Sequence, residues 1–181
     1  KYNGSSWIRD LTVDELSIIR EGFNCPDEFF MEHNTYGYST LGINPGKTVW
    51  LHLRRPDQDW ENLHAPGILN ITKLLTSLNL GVGFGRSYIH RLYPGTDVLP
   101  HVDDNDWNYF QLINRHHIYL DIPAQVDITI GNEIRPNSLS LFRHDLLHAY
   151  KNNGDRPFTF LVFDCFRETG HEKYLTKPES N

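Results

Sequence analysis

The chain has 181 residues, a length that suits one domain and allows a substantial buried core. Hydrophobic residues make up 39% of the sequence and aromatic residues 13%, which argues against an intrinsically disordered chain. The formal net charge of −6 and the pI near 5.9 leave no basic signature for binding nucleic acid or an anionic membrane.

The sequence predicts a cytoplasmic protein. Cys25 and Cys165 lie far apart without C-x-x-C spacing, so we expect reduced thiols rather than a disulfide. No stretch approaches the ~18 apolar residues of a membrane span. The first residues, Lys1 to Gly4, do not resemble a signal peptide. The sequence leaves open whether a targeting segment was removed before Lys1.

Two helices are predicted before residue 86. Within residues 11–32, Thr12 or Asp14 is the candidate N-cap of a helix with apolar residues on one face. Ile68 to Leu80 forms the second helical segment. The glycine-rich run that follows, Gly81 to Gly85, lacks the G-x-G-x-x-G pattern, so it is predicted to be a turn rather than a nucleotide-binding loop.

From Arg86 onward the pattern changes to short strands separated by turn residues such as Pro94-Gly95 and Gly131-Asn132. The predicted strands are Ser87–Leu92, His116–Ile122, Val126–Ile130, Ser138–Phe142 and Phe158–Phe166. Short strands at this spacing predict a mainly β jelly roll or barrel, faced by the helices. The single domain, 1–181, thus divides into a helical N-terminal part (1–85), a β core with the candidate site (86–166) and a C-terminal tail (167–181).

The triplet His101-Val102-Asp103, followed by His148, is the strongest functional signal in the sequence. On an extended strand the side chains of His101 and Asp103 point to the same face. A histidine from a distant strand would complete the two-histidine, one-carboxylate set of non-heme Fe(II) oxygenases. The rival carboxylate, Asp104, would point to the opposite face, and His144 would fall at the turn before the strand of His148.

Arg156 lies eight residues beyond His148, at the head of the apolar run Pro157 to Phe163. A guanidinium is costly on an apolar strand unless it faces an anion. We therefore expect Arg156 to hold the far carboxylate of a keto-acid cosubstrate through bidentate hydrogen bonds.

Arg115 and His117 are two residues apart on a predicted strand, so their side chains face the same side. If that side is the interior, the two groups need an anion, because an unpaired buried charge is costly. Two alternatives stay open: an oxo-dicarboxylate or acidic substrate, and a salt bridge to an aspartate such as Asp121 or Asp164.

Several segments resemble the aspartyl/asparaginyl β-hydroxylase family. Tyr93 to His101 is similar to its P-G-T-x-V-x-P-H segment, and Arg115 to Pro123 is similar to its R-x-H-L-x-L-x-I-P strand. Phe142 to His148 and Arg156 to Asp164 resemble the segments that carry its second histidine and its arginine. The resemblance covers about half of the chain, residues 86–166.

This resemblance implies a double-stranded β-helix, the cupin-like jelly roll, with the N-terminal helices packed on it. It also implies Fe(II), 2-oxoglutarate and O2. By position, His101 and His148 match the iron histidines and Arg156 the cosubstrate arginine, whereas Arg115 and His117 match residues near the cosubstrate.

Three positions depart from the animal members of the family, which hydroxylate Asp and Asn residues in secreted domains. Asp103 supplies a metal carboxylate that those members lack, and His90 stands where they have a serine beside the cosubstrate. Arg156 is two residues nearer its histidine. The chain is thus more similar to small bacterial and phage-type members, including free-proline hydroxylases.

The expected function is an Fe(II)- and 2-oxoglutarate-dependent dioxygenase that hydroxylates an amino acid or an amino-acid residue, of the Asp/Asn or Pro type, and produces succinate and CO2. The expected partner is a small amino acid, a peptide or a protein, and the oligomeric state stays open. A metal-dependent cupin-type enzyme without 2-oxoglutarate and a non-catalytic binding module are the alternatives. Four aromatic residues are either pocket-lining or core: Trp50, Trp60, Trp107 and Tyr109.

Overall fold

The framework of the protein is a pair of antiparallel sheets. The computed structural model describes residues 7–32, 48–55, 58–103, 107–131 and 134–168. The helices are α1 (Val13–Phe23), α2 (Ile68–Leu78) and α3 (Trp107–Phe110). The strands are β1 (Trp7–Asp10), β2 (Met31–Glu32), β3 (Thr48–Arg54), β4 (Phe84–Leu92), β5 (Asp97–His101), β6 (Ile113–Tyr119), β7 (Val126–Thr129), β8 (Ser138–Phe142), β9 (His148–Asn152) and β10 (Phe158–Phe166).

The strand order shows a jelly roll. In the larger sheet the order is β1-β8-β6-β10-β4-β3-β2, and in the smaller sheet it is β5-β9-β7. All named strand pairs are antiparallel. Neighbours such as β10 and β4 are distant in sequence, as expected when a chain winds between two sheets. The predicted jelly-roll fold is confirmed.

The larger sheet separates two apolar clusters, because successive residues of a strand point to opposite faces. On β10, Leu161 and Phe163 pack on the outer side with residues of α1 and α2. Phe160 and Val162 point to the inner side, where they pack with Val98 of β5 and other residues of the smaller sheet. The helices therefore cover one face of the larger sheet, and the space between the sheets is its other face.

Helix α1 begins as the sequence predicts. The Thr12 side chain accepts a hydrogen bond from the backbone N–H of Glu15, and the Glu15 carboxylate accepts one from the N–H of Thr12. This capping box satisfies two backbone donors at the helix start. The helix ends at Phe23, so the helical pattern expected over residues 11–32 is only partly correct.

Two predicted strands, Ser138–Phe142 and Phe158–Phe166, agree with the structure. The strand expected at His116–Ile122 lies three residues earlier, at β6, because Asp121 takes a left-handed φ of 37° that breaks the extended backbone. The prediction of a helical part over 1–85 is incomplete, since β1 joins the larger sheet beside β8 and β3 joins it beside β4. These strands pair with distant segments, and local pattern does not report such pairing.

Both cysteines, Cys25 and Cys165, are buried in the outer cluster as free thiols, as expected. Within the described ranges, the structure has no helix that is both long and apolar enough to cross a bilayer.

The buried histidine His116 should make stability depend on pH. Its ring stacks on Phe163, with centroids 4.9 Å apart, and burial lowers its pKa to about 4, an effect that the charge of Asp164 only partly offsets. Because the unfolded pKa is higher, near 6.5, the unfolded chain binds the proton first. The contribution of His116 is therefore fully present above about pH 6.5 and is lost as the pH falls toward 4.

We expect His116 to account for about 2 kcal/mol of stability lost between pH 7 and pH 5. Urea unfolding of wild type and His116→Gln at several pH values measures this difference. His64→Gln, at an exposed histidine, is the control. An unaltered pH slope in His116→Gln would contradict the assignment.

Candidate metal centre

Strands β5 and β9 bring the two predicted histidines together. His101 lies opposite His148 in the antiparallel ladder, and their ring centroids are 4.3 Å apart. The register contains a bulge, since Val98 pairs with Tyr150 three residues before the His101 pair. Val98 points into the inner cluster, so strict alternation would turn His101 away. The extra residue turns it inward instead.

Asp103 completes the cluster from just beyond β5. Its backbone N–H donates to the carbonyl oxygen of His144, 2.9 Å away, which holds the chain beside the start of β9. The Asp103 Oδ1 atom lies 3.6 Å from His101 Nε2 and 3.5 Å from His148 Nε2. The three donor atoms lie within 4.8 Å of one another, so the structure brings the predicted triad together.

Both histidines are held with the same ring nitrogen toward the protein. His101 Nδ1 lies 2.8 Å from the carbonyl oxygen of Leu99, and His148 Nδ1 lies 2.9 Å from that of Leu146. A carbonyl oxygen only accepts, so each Nδ1 carries a hydrogen, and Nε2 is the nitrogen of each ring that faces the cluster. This is the arrangement expected of metal-binding histidines.

Arg115 holds Asp103 from the side away from the histidines. Its Nη1 donates to Asp103 Oδ2 at 3.0 Å, while its Nε and Nη2 donate to Asp164 Oδ1 and Oδ2 at 2.7 and 2.9 Å. Burial opposes the charge of Asp103, but hydrogen bonding with His148 and the charge of Arg115 outweigh it and lower the Asp103 pKa. Asp103 is therefore a charged carboxylate whose Oδ1 faces the histidines.

The two alternatives for Arg115 are distinguished by these contacts. Its anions are two aspartates of the chain, including the predicted Asp164, whereas Asp121 pairs with Arg20 at 3.3 Å on the surface. Arg115 and His117 share one face of the strand, as predicted, and this face is the inner one. Its predicted contact with the cosubstrate stays a prediction.

His117 lies deeper between the sheets, on the same face of β6. Its ring stacks on Phe142 with centroids 3.8 Å apart, and its Nδ1 is 2.5 Å from the Tyr119 hydroxyl. The Tyr119 hydroxyl is 3.4 Å from that of Tyr150. Burial, then the charge of Arg115, lowers the His117 pKa well below its usual range, so the ring is neutral. Burial also raises the pKa of both tyrosines.

The structure does not bring Arg156 into this interior. Strand β10 begins at Phe158, and Arg156 lies exposed in the turn between β9 and β10. Its carbonyl oxygen accepts a hydrogen bond from Asn152 Nδ2. The expectation of a guanidinium on an apolar strand is therefore wrong, because Arg156 precedes the strand and its side chain is exposed to solvent. Its role as the cosubstrate arginine stays a prediction without that support.

The rival ligands differ in their positions. His144 packs its ring against Phe110, with centroids 5.0 Å apart, and it is not among the donors of the cluster. Asp104 lies outside the described residues.

Among the candidate aromatic residues, Trp50 stacks on Tyr88 on the inner side of the sheet, with centroids 4.5 Å apart. The side chain of Trp107 is outside the described part of the chain.

Sequence reasoning missed Tyr119 and Tyr150 as residues of the site. Each lies two residues beyond a predicted site histidine on a strand, and this spacing places both on the inner face. It also gave no role to the hydroxyl of Tyr109, which donates to Asp164 Oδ2 at 2.6 Å. The two-residue spacing from a site histidine could have identified Tyr119 and Tyr150 from the sequence. The contact of Tyr109 could not be identified in this way, because it depends on tertiary packing.

Comparison with solved structures shows the same fold. An oxidoreductase of the 2OG-Fe(II) oxygenase family from Burkholderia pseudomallei aligns with a TM-score of 0.57 and 15% identity over 87% of this chain and 81% of the other. SnoN, a non-heme alpha-ketoglutarate-dependent epimerase from nogalamycin biosynthesis, aligns with a TM-score of 0.51 and 12% identity over 99% and 88%. No curated protein matches the sequence.

A protein-family model matches the chain by sequence. The model described as Aspartyl/Asparaginyl beta-hydroxylase matches residues 33–168, which is most of the chain and includes all three donors of the cluster. The protein therefore belongs to the aspartyl/asparaginyl β-hydroxylase family and is a dioxygenase of the hydroxylase type.

Proposed function

We propose that this protein is an Fe(II)- and 2-oxoglutarate-dependent dioxygenase that hydroxylates a C–H bond of an amino acid or of an amino-acid residue. The observation that carries the proposal is the cluster of His101 Nε2, Asp103 Oδ1 and His148 Nε2. Membership of the hydroxylase family supports it.

The donor set fits Fe(II). Two neutral imidazoles and one carboxylate on one side of an ion form the facial triad of non-heme iron oxygenases, which leaves coordination positions for other molecules. The hydrogen bonds of both Nδ1 atoms and the Arg115 contact with Asp103 fix the orientation of all three ligands. His101, Asp103 and His148 would hold the ion without a change of tautomer.

Bound together, Fe(II), 2-oxoglutarate and O2 supply the oxidation that yields succinate and CO2 and adds one oxygen atom to the substrate. The chain itself supplies ligation, orientation and exclusion of water. Its three ligands differ in exposure, with side chains exposed by 35% for His101, 19% for Asp103 and 3% for His148. The site thus opens at His101 and is closed at His148, so the substrate would approach from the His101 side.

The cosubstrate would extend toward the interior, past His148. The residues available there are neutral hydrogen-bonding groups: His117, Tyr119 and Tyr150, which lie in one connected group on the inner faces of β6 and β9. We assign the far carboxylate of 2-oxoglutarate to these groups. Arg156 would contribute only as an exposed charge at the turn after β9.

An aromatic wall lies on the inner side of β3 and β4, toward the Asp103 end of the interior, where the Tyr88 ring is 6.0 Å from the Arg115 guanidinium carbon. Trp50 stacks on Tyr88, and the ring of His90 lies 5.0 Å from that of Trp50 and 5.1 Å from that of Phe160. Flat apolar faces with few charges suit the aliphatic part of a small substrate. The proposed substrate is therefore a free amino acid, such as proline, or a residue of that size presented by a peptide.

The substrate assignment is tested by a turnover assay. Iron-loaded protein is incubated with 2-oxoglutarate and a panel of free amino acids and peptides, and both succinate and a product with one added oxygen atom are measured. Coupled formation of the two is expected with an amino-acid substrate. A metal-dependent product formed without 2-oxoglutarate would instead indicate the cupin-type alternative.

Loss of either histidine should remove the metal. We expect His101→Ala and His148→Ala to lose stoichiometric Fe(II) binding and all succinate formation, because each variant removes one of the two imidazole donors. His144→Ala is the matched control, because this histidine is four residues from His148 but outside the cluster. Metal content of the purified proteins measures the effect. Stoichiometric iron in both ligand variants would refute the assignment.

Asp103 is expected to be a metal ligand rather than a neighbour of the site. Asp103→Ala should weaken Fe(II) binding and stop coupled hydroxylation, because Asp103 is the negatively charged donor among the three. Titration with Fe(II) under anaerobic conditions, followed by succinate assays at saturating metal, separates the two effects. Wild-type affinity and rate in this variant would indicate a two-histidine site.

The cosubstrate assignment predicts a difference between an interior tyrosine and Arg156. A buried hydrogen bond to a charged group contributes about 1.5–3 kcal/mol, so Tyr150→Phe should raise the half-saturating 2-oxoglutarate concentration roughly ten- to a hundredfold. An exposed charge contributes about 1 kcal/mol or less, so Arg156→Ala should raise it by a factor of about 5 at most. The reverse order would return the anchor to Arg156.

A further inference from the structure

A buried network extends behind Asp103 across four separate parts of the chain. From Asp103 it passes to Arg115 on β6, then to Asp164 on β10, and then to Tyr109 on α3. Each step is a hydrogen bond of 3.0 Å or less. The proposed function uses Asp103 as a ligand and its contact with Arg115, but it gives no role to Asp164 or Tyr109.

The middle of the network is an ion pair removed from water. The side chain of Asp164 is fully buried and that of Arg115 is 6% exposed. Two donors of the guanidinium, Nε and Nη2, are engaged by the two oxygens of Asp164. A bidentate contact between a planar guanidinium and a carboxylate fixes the orientation of both groups. The remaining nitrogen, Nη1, therefore has a set direction, and it meets Asp103 Oδ2.

The far end of the network holds Asp164 in place. The Tyr109 hydroxyl donates to Asp164 Oδ2 at 2.6 Å and accepts the backbone N–H of Arg86 at 2.7 Å. The close approach of the Tyr109 hydroxyl to the β4 backbone depends on Gly85, because a Cβ atom at that position would lie 2.2 Å from the hydroxyl. The last glycine of the glycine-rich run thus leaves room for Tyr109.

We propose that Arg115, Asp164 and Tyr109 are positioning residues that hold Asp103 as a ligand through one oxygen. With Oδ2 occupied by Arg115, only Oδ1 faces the Nε2 atoms of His101 and His148. The carboxylate therefore takes one coordination position and leaves the others for the reactants. This inference rests on the proposed metal site, but it assigns Arg115 to Asp103 rather than to the cosubstrate.

The balance of charge around Arg115 also depends on the network. Asp103 and Asp164 flank one guanidinium, so the buried group carries one surplus negative charge next to the histidines. Without Asp164, Arg115 would turn its full fork toward Asp103 and compete with a cation for both oxygens. Residues that orient metal ligands typically change metal affinity ten- to a hundredfold when they are altered.

The test is metal binding by the whole chain, measured without turnover. Mn(II) affinity is obtained from the free-ion signal in electron paramagnetic resonance, and the absorption spectrum of the Co(II)-loaded protein reports ligand geometry. We expect Asp164→Asn to weaken Mn(II) binding about ten- to a hundredfold and to alter the Co(II) spectrum. Tyr109→Phe removes one hydroxyl and should change both measurements in the same direction by a smaller factor.

Asp27→Asn is the matched control. It makes the same chemical change in another aspartate–arginine pair, with Arg91, and that pair lies on the helix side of the larger sheet. Its Mn(II) affinity and Co(II) spectrum should equal those of wild type. If Asp164→Asn does not fold, Tyr109→Phe decides the outcome by the same two measurements.

Three outcomes of these measurements would contradict either the inference or the proposed function. Wild-type Mn(II) affinity and Co(II) spectrum in Asp164→Asn and Tyr109→Phe would overturn the inference while leaving the metal site intact. So would a raised 2-oxoglutarate requirement in both variants with unchanged metal binding, because Arg115 would then act on the cosubstrate. No metal binding by wild-type protein would instead refute the proposed function itself.

Discussion

The site depends on the pairing of β5 with β9. This ladder places His101 opposite His148, and the bulge after Val98 turns His101 toward the inner face. A shift of one residue would move a histidine to the other side of the sheet, because side chains alternate along a strand. Both strands belong to the smaller sheet, whose inner residues pack against β10 and β4 of the larger one. The packing between the sheets therefore maintains the distance between the two imidazoles.

The larger sheet contributes a buried ion pair behind the candidate metal centre. Arg115 and Asp164 lie on adjacent strands, β6 and β10, as direct partners in the ladder. Their ion pair is buried, and burial of one partner alone would be costly. The pair therefore acts as a unit, and its free nitrogen reaches across to Asp103 beside the smaller sheet. This hydrogen bond therefore joins the two sheets, in addition to the apolar packing between them.

The interior has different chemistry at its two ends. Near Asp103 it contains full charges, whereas beyond His148 it contains a neutral imidazole and phenol hydroxyls. Burial keeps these groups neutral, since it lowers the pKa of His117 and raises the pKa of Tyr119 and Tyr150. A cation is thus favoured at the first end. A molecule that accepts hydrogen bonds is favoured at the second.

The sequence by itself determined the three residues of the candidate metal centre and the fold class. His101 and Asp103 share a face by their spacing, and the run of short strands separated by turns indicated a jelly roll, because both signals depend on residues that are near in sequence. Tertiary structure decided the rest. The turn before β10 exposes Arg156, and the ladder between β6 and β10 joins Arg115 to Asp164. Such contacts form between segments distant in sequence, where local spacing carries no information about which side chains meet.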